Sequence, residues 1–172
     1  MPMKAAKAAS RGRASLKRRK SAASSAQRLT IQNATRSSRV PPAAHFRKWI
    51  HATLRGRATV TIRLVGLAEA RELNRAYRRK DYATNVLTFV LRDTRPLEGD
   101  IALCVPVIAQ EARSQRKPLE AHYAHLTVHA ILHLQGYEHD RDGDARRMES
   151  LEKRILKKLG YTDPYAAIDE HG

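Results

Sequence analysis

The chain has 172 residues, enough for one well-buried domain but too few for two domains of ordinary size. Its net charge of +16 comes entirely from residues 1–68, which hold 16 Lys and Arg and no acid, whereas the remainder balances 17 basic against 17 acidic residues. The single cysteine, Cys104, excludes an internal disulfide and a cysteine-built zinc site, and the lack of an apolar run of about 18 residues excludes a membrane span.

Residues 1–27 are predicted to be a disordered basic tail. Ala, Ser, Lys and Arg dominate this segment, which has almost no large apolar side chain whose burial would offset the entropy lost on ordering. Such a tail can hold polyphosphates such as RNA with salt-sensitive affinity, or it can simply keep the protein soluble. Its composition also suits an organelle transit peptide. Because the N-terminus lacks the apolar stretch of a secretory signal, we expect a cytoplasmic protein.

Residues 28–172 are predicted to form a single α+β domain. The alternation of Val60, Ile62 and Leu64 is typical of a half-exposed strand, and the almost wholly apolar segment 85–90 is expected to be a central strand. The order of segments predicts a small mixed four-stranded sheet with helices packed on it. The pattern places strands at 29–32, 59–65, 85–90 and 101–105, and helices at 41–54, 68–77, 106–116, 118–135 and 142–159.

The long helix at 118–135 carries His129 and His133, which lie one turn apart on the same face. That spacing lets two ring nitrogens reach one ion at about 2.0–2.1 Å, the zinc–nitrogen distance. His125 is a candidate third ligand, but it lies about 12 Å along the axis from His133. His139 is better placed, because Gly136 can end the helix and turn the chain back. We therefore predict that His129, His133 and His139 hold one divalent ion, zinc.

The spacing H-x-x-x-H-x-x-G-x-x-H is similar to that of metzincin proteases, which place a Glu directly after the first histidine as general base. Ala130 occupies that position here, so proteolysis is not expected. A bound ion still lowers the pKa of water to about 7 and polarises a phosphoryl oxygen, which suits phosphodiester hydrolysis. The general base stays open between a metal hydroxide, Glu138 and Asp140.

Several segments together resemble the YbeY family of bacterial single-strand endoribonucleases, over nearly all of the chain from Leu29 onward. Some positions depart from the family pattern without removing a ligand: Ala130 and Arg79 replace glycine, Ala83 and Val90 replace proline, and Glu138 replaces aspartate. The matching segments are Leu73-Asn74, Tyr77-Arg78-Arg79-Lys80-Asp81, Thr84-Asn85-Val86-Leu87-Thr88-Phe89, Gly99-Asp100-Ile101, the stretch from His129 to His139, and Met148, Glu149 and Glu152 before Leu159-Gly160.

The resemblance implies a zinc-dependent endoribonuclease that cuts single-stranded RNA, with one Zn²⁺ per chain held by the three histidines. It implies a role in ribosomal RNA maturation, at the 3′ end of the small-subunit rRNA, and in ribosome quality control. The implied partners are rRNA and the small ribosomal subunit or its associated proteins, with no membrane. Arg78 matches a functional arginine of the family. Because a guanidinium can contact a phosphate in bidentate fashion, we expect Arg78 to bind or neutralise the scissile phosphate.

Two other functions stay open. A non-catalytic ribosome-assembly factor would use structural zinc, for which four protein ligands are usual, whereas three are convincing here. A metal hydrolase of small substrates would cleave a chromogenic phosphodiester and leave RNA intact. The remaining histidines are expected to be surface or supporting residues, with His125 supporting the ligands or contacting substrate; the others are His45, His51, His122 and His171.

Overall fold

The computed structural model describes residues 26–166, and within them the chain forms four strands and five helices. The α+β class and the element order agree with the prediction, and every boundary except the start of the fourth strand agrees within two residues. In chain order the elements are β1 (Gln27–Asn33), α1 (Ala43–Thr53), β2 (Ala58–Val65), α2 (Leu67–Arg78), β3 (Val86–Arg92), β4 (Leu97–Cys104), α3 (Val105–Ser114), α4 (Leu119–Leu134) and α5 (Asp142–Leu159).

The predicted tail lies almost wholly outside the described residues, since it covers positions 1–27. Gln27 pairs with Ala58 as the first residue of β1, so this strand begins two residues earlier than the predicted strand at 29–32. Across residues 26–166, none of the helices is both long and apolar enough to cross a lipid bilayer.

The strands form one mixed sheet in the order β1-β2-β4-β3. β1, β2 and β4 are parallel, whereas β3 runs antiparallel to β4. One face of the sheet, with Ile62 and Ile101, joins the main core formed with α1, α4 and α5. The opposite face, with Ala102 and Cys104, packs against Ala70 of α2. The sheet therefore separates α4 from α2.

The prediction that segment 85–90 is a central strand is wrong, because β3 lies at one edge of the sheet. Its apolar character has another cause, since both of its faces are partly covered. α4 packs against β3 from one side, and Tyr77 of α2 contacts Phe89 from the other, with ring centroids 4.9 Å apart. Beyond that cover, Val90 and Leu91 are 49% and 43% exposed. An apolar run thus reports what covers a strand, not its position in the sheet.

β4 begins at Leu97, earlier than the predicted Ile101, because Gly99 belongs to the strand. A Cβ atom at Gly99 would lie 2.4 Å from Leu134 Cδ2, so a larger residue there would force the buried Leu134 side chain at the end of α4 to move. Gly99 also pairs with Val90 of β3. The close approach therefore sets the last turn of α4 against β4, the strand that pairs with β3.

Candidate metal centre

The last turns of α4 and the segment after it bring three histidine rings together. The ring centroids of His129 and His133 are 4.5 Å apart, and that of His139 lies 5.8 Å from His129 and 4.9 Å from His133. Each ring offers one nitrogen, and these three atoms lie within 4.8 Å of one another. Among residues 26–166, no fourth His, Cys, Asp or Glu joins the cluster. The arrangement matches the predicted ligand set, whose metal binding stays a prediction.

Gly136 makes the return of the chain possible. Its φ of +93° lies in the left-handed region that glycine adopts without steric cost. The N–H of Tyr137 donates to the Leu132 carbonyl at 3.1 Å, and the N–H of Gly136 donates to the His133 carbonyl at 3.0 Å. These bonds close the end of α4, so the predicted helix-ending role of Gly136 is confirmed.

Hydrogen bonds fix the orientation of the two helical histidines. His129 Nδ1 lies 2.5 Å from Glu152 Oε1, and His133 Nδ1 lies 2.9 Å from the carbonyl oxygen of Tyr137. Because a carboxylate and a carbonyl only accept, both histidines donate through Nδ1. Their Nε2 atoms then present lone pairs, and these two atoms are 3.0 Å apart. Lone pairs at this distance repel unless they share a cation, so the donor set fits a metal ion.

His133 is held in the form that binds metals. Burial, followed by the proximity of His129 and His139, lowers the pKa of His133. The ring therefore stays neutral at physiological pH, and only a neutral imidazole coordinates an ion.

Glu152 of α5, to which the sequence analysis gave no role, is completely buried behind the cluster. It accepts hydrogen bonds from His129, from His125 Nε2 at 3.1 Å and from the Tyr165 hydroxyl. Burial alone would raise the pKa of Glu152, but these three hydrogen bonds outweigh it and lower the pKa to about 2. The ionised carboxylate orients His129 and places His125 in a supporting position. Two sequence signals pointed to it: an acid within the apolar stripe of α5, and its place among the positions that match the family pattern.

Arg78 is the last residue of α2 and is exposed. It lies on the opposite side of the sheet from α4, next in sequence to Tyr77, whose ring contacts Phe89 of β3. Its guanidinium makes no hydrogen bond or ion pair with any residue between 26 and 166. Within the described residues, the structure therefore leaves the Arg78 guanidinium free to meet an anion.

The other histidines lie outside the cluster. His122 is only 3% exposed, and its Nε2 lies 3.0 Å from Glu111 Oε1, so it supports the packing of α4 on α3 and is not a surface residue. His45 is half-buried with its Nδ1 2.6 Å from Glu120 Oε1, and His51 is exposed and hydrogen-bonded to Gln27. His171 lies outside the described residues.

The sequence and the fold both match known proteins. A family profile described as "Endoribonuclease YbeY" matches residues 30–160. Endoribonuclease YbeY of Aromatoleum aromaticum is 56% identical over 147 residues, covering 84% of this chain and 96% of that protein. The protein of the same name from Nitrosomonas eutropha is 55% identical over 137 residues, covering 80% and 97%.

A solved structure shares the fold. The solution structure of TM1509 from Thermotoga maritima matches 81% of this chain and 99% of that chain, with a TM-score of 0.51 and 23% identity. That likeness bears on the fold alone, whereas the family profile spans the three clustered histidines and the segment around Arg78. On the profile and the two relatives together, the chain belongs to the YbeY endoribonuclease family.

Proposed function

We propose that this protein is a single-strand-specific endoribonuclease that depends on one zinc ion held by His129, His133 and His139. The observation that carries the proposal is the convergence of the His129 and His133 Nε2 atoms at 3.0 Å, with both Nδ1 atoms already engaged, beside His139. Membership of an endoribonuclease family supports RNA as the substrate.

The chain's own groups prepare the centre. An ion bound there would supply an activated water nucleophile and neutralise charge on the phosphoryl group. Glu152 and the Tyr137 carbonyl hold the two helical imidazoles in the correct tautomer and orientation before any ion arrives. Glu138 and Asp140, which flank His139 and are exposed, keep their place as candidate general bases.

Arg78 is proposed to bind the scissile phosphate. An exposed guanidinium with no polar partner among residues 26–166 suits bidentate contact with a phosphate. Tyr77, 49% exposed and in edge contact with Phe89, presents an aromatic surface beside it. Unpaired bases can stack on such a surface whereas a duplex hides their faces, which supports single-strand preference.

The biological substrate is proposed to be ribosomal RNA, with processing of the 3′ end of small-subunit rRNA and ribosome quality control as the roles. The partners would then be rRNA and the small ribosomal subunit or its associated proteins, in the cytoplasm. Residues 1–27 are proposed to add salt-sensitive RNA affinity as a basic tail ahead of the single domain at 28–172. Family membership and the excess of basic residues support these assignments.

A non-catalytic assembly factor with structural zinc is the second candidate. Structural zinc sites are usually closed by four protein ligands, and the cluster provides three within residues 26–166. This count favours the catalytic assignment.

The decisive experiment couples elemental analysis of the purified protein to cleavage of labelled single-stranded and double-stranded RNA. We expect about one zinc per chain, cleavage of the single strand alone, loss of cleavage with a chelator and recovery on adding zinc back. His133→Ala should lose both zinc and cleavage, whereas His51→Ala, at an exposed histidine outside the cluster, should lose neither. Bound zinc without cleavage would favour the assembly factor, and cleavage that survives the chelator would contradict metal dependence.

A further inference from the structure

A basic groove lies between α1 and α5, beside the turn that leads to His139. It is a cavity of about 150 Å³. The groove-lining residues of α5 follow helical spacing and so share one face, and α1 contributes its C-terminal end. We define the basic groove by six of its lining residues: Arg55, Tyr137, Leu151, Arg154, Ile155 and Lys158.

The groove concentrates positive charge without a counter-charge. Arg55, Arg154 and Lys158 line it, no acid does, and none of these three side chains forms an ion pair or hydrogen bond within residues 26–166. The C-terminal ends of α1 and α4 lie near the groove, and the helix dipole attracts cations to such ends. This attraction does not explain the presence of Arg154, which lies in the middle of α5. Gathered like charges repel one another, and a phosphodiester chain relieves that repulsion.

The groove also offers apolar contacts. Tyr137, Leu151 and Ile155 are each half-buried, so part of each side chain faces the cavity. Cations beside an aromatic ring and aliphatic side chains are the combination that binds single-stranded nucleic acid, because phosphates and bases are both satisfied. A purely acidic protein segment would use the cations and leave the apolar wall without a partner.

The groove is physically joined to the metal centre. The carbonyl oxygen of Tyr137, a groove residue, accepts the hydrogen bond from His133 Nδ1 at 2.9 Å. His139 follows two residues later, within about 7 Å of chain. A strand that passes the histidine cluster can therefore continue directly along Tyr137 into the groove.

We propose that the basic groove binds the backbone of single-stranded RNA on one side of the cleavage position. This inference rests on the proposed function, because it assumes that RNA is cut at the histidine cluster. It adds a second RNA contact region, remote from Arg78, that holds long substrates and leaves the reaction at the metal unchanged.

The test compares two double variants with the same change in charge. R154E/K158E reverses two groove cations, whereas R113E/K157E reverses one Arg and one Lys that are exposed, unpaired within residues 26–166 and outside the groove. Binding of a single strand of about 20 nucleotides is measured across a salt series, and cleavage is measured on that strand and on one of roughly four nucleotides. Melting temperature and bound zinc confirm that both variants are folded.

R154E/K158E should bind the long strand roughly tenfold more weakly at low salt and lower the salt slope by about 1.4, since each single-strand phosphate contact contributes about 0.7. Its kcat on the short strand should stay at the wild-type value. Equal weakening in both variants, or unchanged binding in R154E/K158E, overturns the proposal; the second result would leave the groove to an acidic protein partner. If the wild type cleaves neither strand, the proposed function fails, while the binding comparison still decides the role of the groove.

Discussion

The two halves of the proposed active site are held in opposite ways. On the α4 and α5 side, His129 and His133 are fixed by hydrogen bonds to Glu152, which is completely buried, and to a backbone carbonyl. On the α2 side, Arg78 is exposed and has no polar partner between residues 26 and 166. The first half is organised before any ligand arrives, whereas the second is completed by the substrate. Substitutions in the first half should therefore change zinc affinity and stability, whereas substitutions in the second half should change cleavage alone.

The largest effect is expected from Arg78→Glu. Replacing the cation proposed to bind the phosphate with an anion should reduce RNA cleavage by at least about a hundredfold, the usual cost of losing one group that stabilises transition-state charge. Zinc content and melting temperature should not change, because Arg78 takes no part in the polar network around the histidines. Single-turnover cleavage of a short single-stranded RNA, together with elemental analysis, measures both.

Two further variants sharpen this result. Arg78→Lys keeps the charge but loses the bidentate geometry, so cleavage should fall to an intermediate level. Arg75→Glu makes the same charge reversal at an exposed position one turn earlier on α2 and should retain most of the activity. If Arg78→Glu cleaves RNA as fast as the wild type, Arg78 does not bind the phosphate, and the histidine cluster alone forms the active site.

The metal half is tested by Glu152→Ala. Losing the acceptor behind His129 should weaken zinc affinity about 10- to 100-fold, as is typical when the partner of a ligating histidine is removed. It should also lower the free energy of unfolding by about 1–3 kcal/mol, because the donors on His125, His129 and Tyr165 lose their buried acceptor. Competition with a zinc-binding dye measures the zinc affinity, and urea unfolding of the zinc-free protein measures the free energy of unfolding.

Glu149→Ala is the matched control for this variant. Glu149 lies one turn earlier on α5, is half-buried and makes no side-chain hydrogen bond within residues 26–166. It should change neither zinc affinity nor stability appreciably. Wild-type zinc affinity in Glu152→Ala would mean that the histidines need no buried carboxylate to hold their orientation.

What the sequence could predict depended on periodicity. The four-residue spacing of His129 and His133, and the glycine before His139, are local features whose geometry follows from helix dimensions alone. The bounds of α5 were predicted correctly for the same reason, since its apolar stripe is regular. A feature that arises within one helix or turn could therefore be predicted from the sequence alone.

The features that could not be predicted from the sequence depend on contacts between segments that are distant in the chain. The edge position of β3 depends on which strand β4 joins, and an apolar run is equally compatible with either place. The role of Glu152 depends on donors outside its own helix, on α4 and after α5, which are 13 to 27 residues away in the chain. The basic groove combines Arg55 with Arg154 and Lys158, which only the packed helices bring together. No local pattern carries such information.

The smallest effect is expected at Arg79, where the family usually has glycine. Arg79 ends α2 with φ +56° and ψ +32°, a left-handed conformation that an L side chain adopts only at a cost. Arg79→Gly should therefore raise the free energy of unfolding by roughly 0.5–1 kcal/mol, the part of that cost left after glycine's extra freedom in the unfolded chain. Urea unfolding measures the change.

Two other glycine substitutions serve as controls for this prediction. Arg116→Gly, at the other described non-glycine residue with positive φ (+53°), should give a similar gain in the free energy of unfolding, whereas Arg75→Gly within α2 should lower it by about 1 kcal/mol. Cleavage by Arg79→Gly also separates the adjacent arginines. Arg79→Gly removes one of the two guanidinium groups and relaxes the turn that positions the other. If cleavage still proceeds at the wild-type rate, the phosphate contact belongs to Arg78 alone. A loss of cleavage together with a gain in stability would show that Arg79 shares the phosphate contact and that the chain retains a strained residue for that purpose.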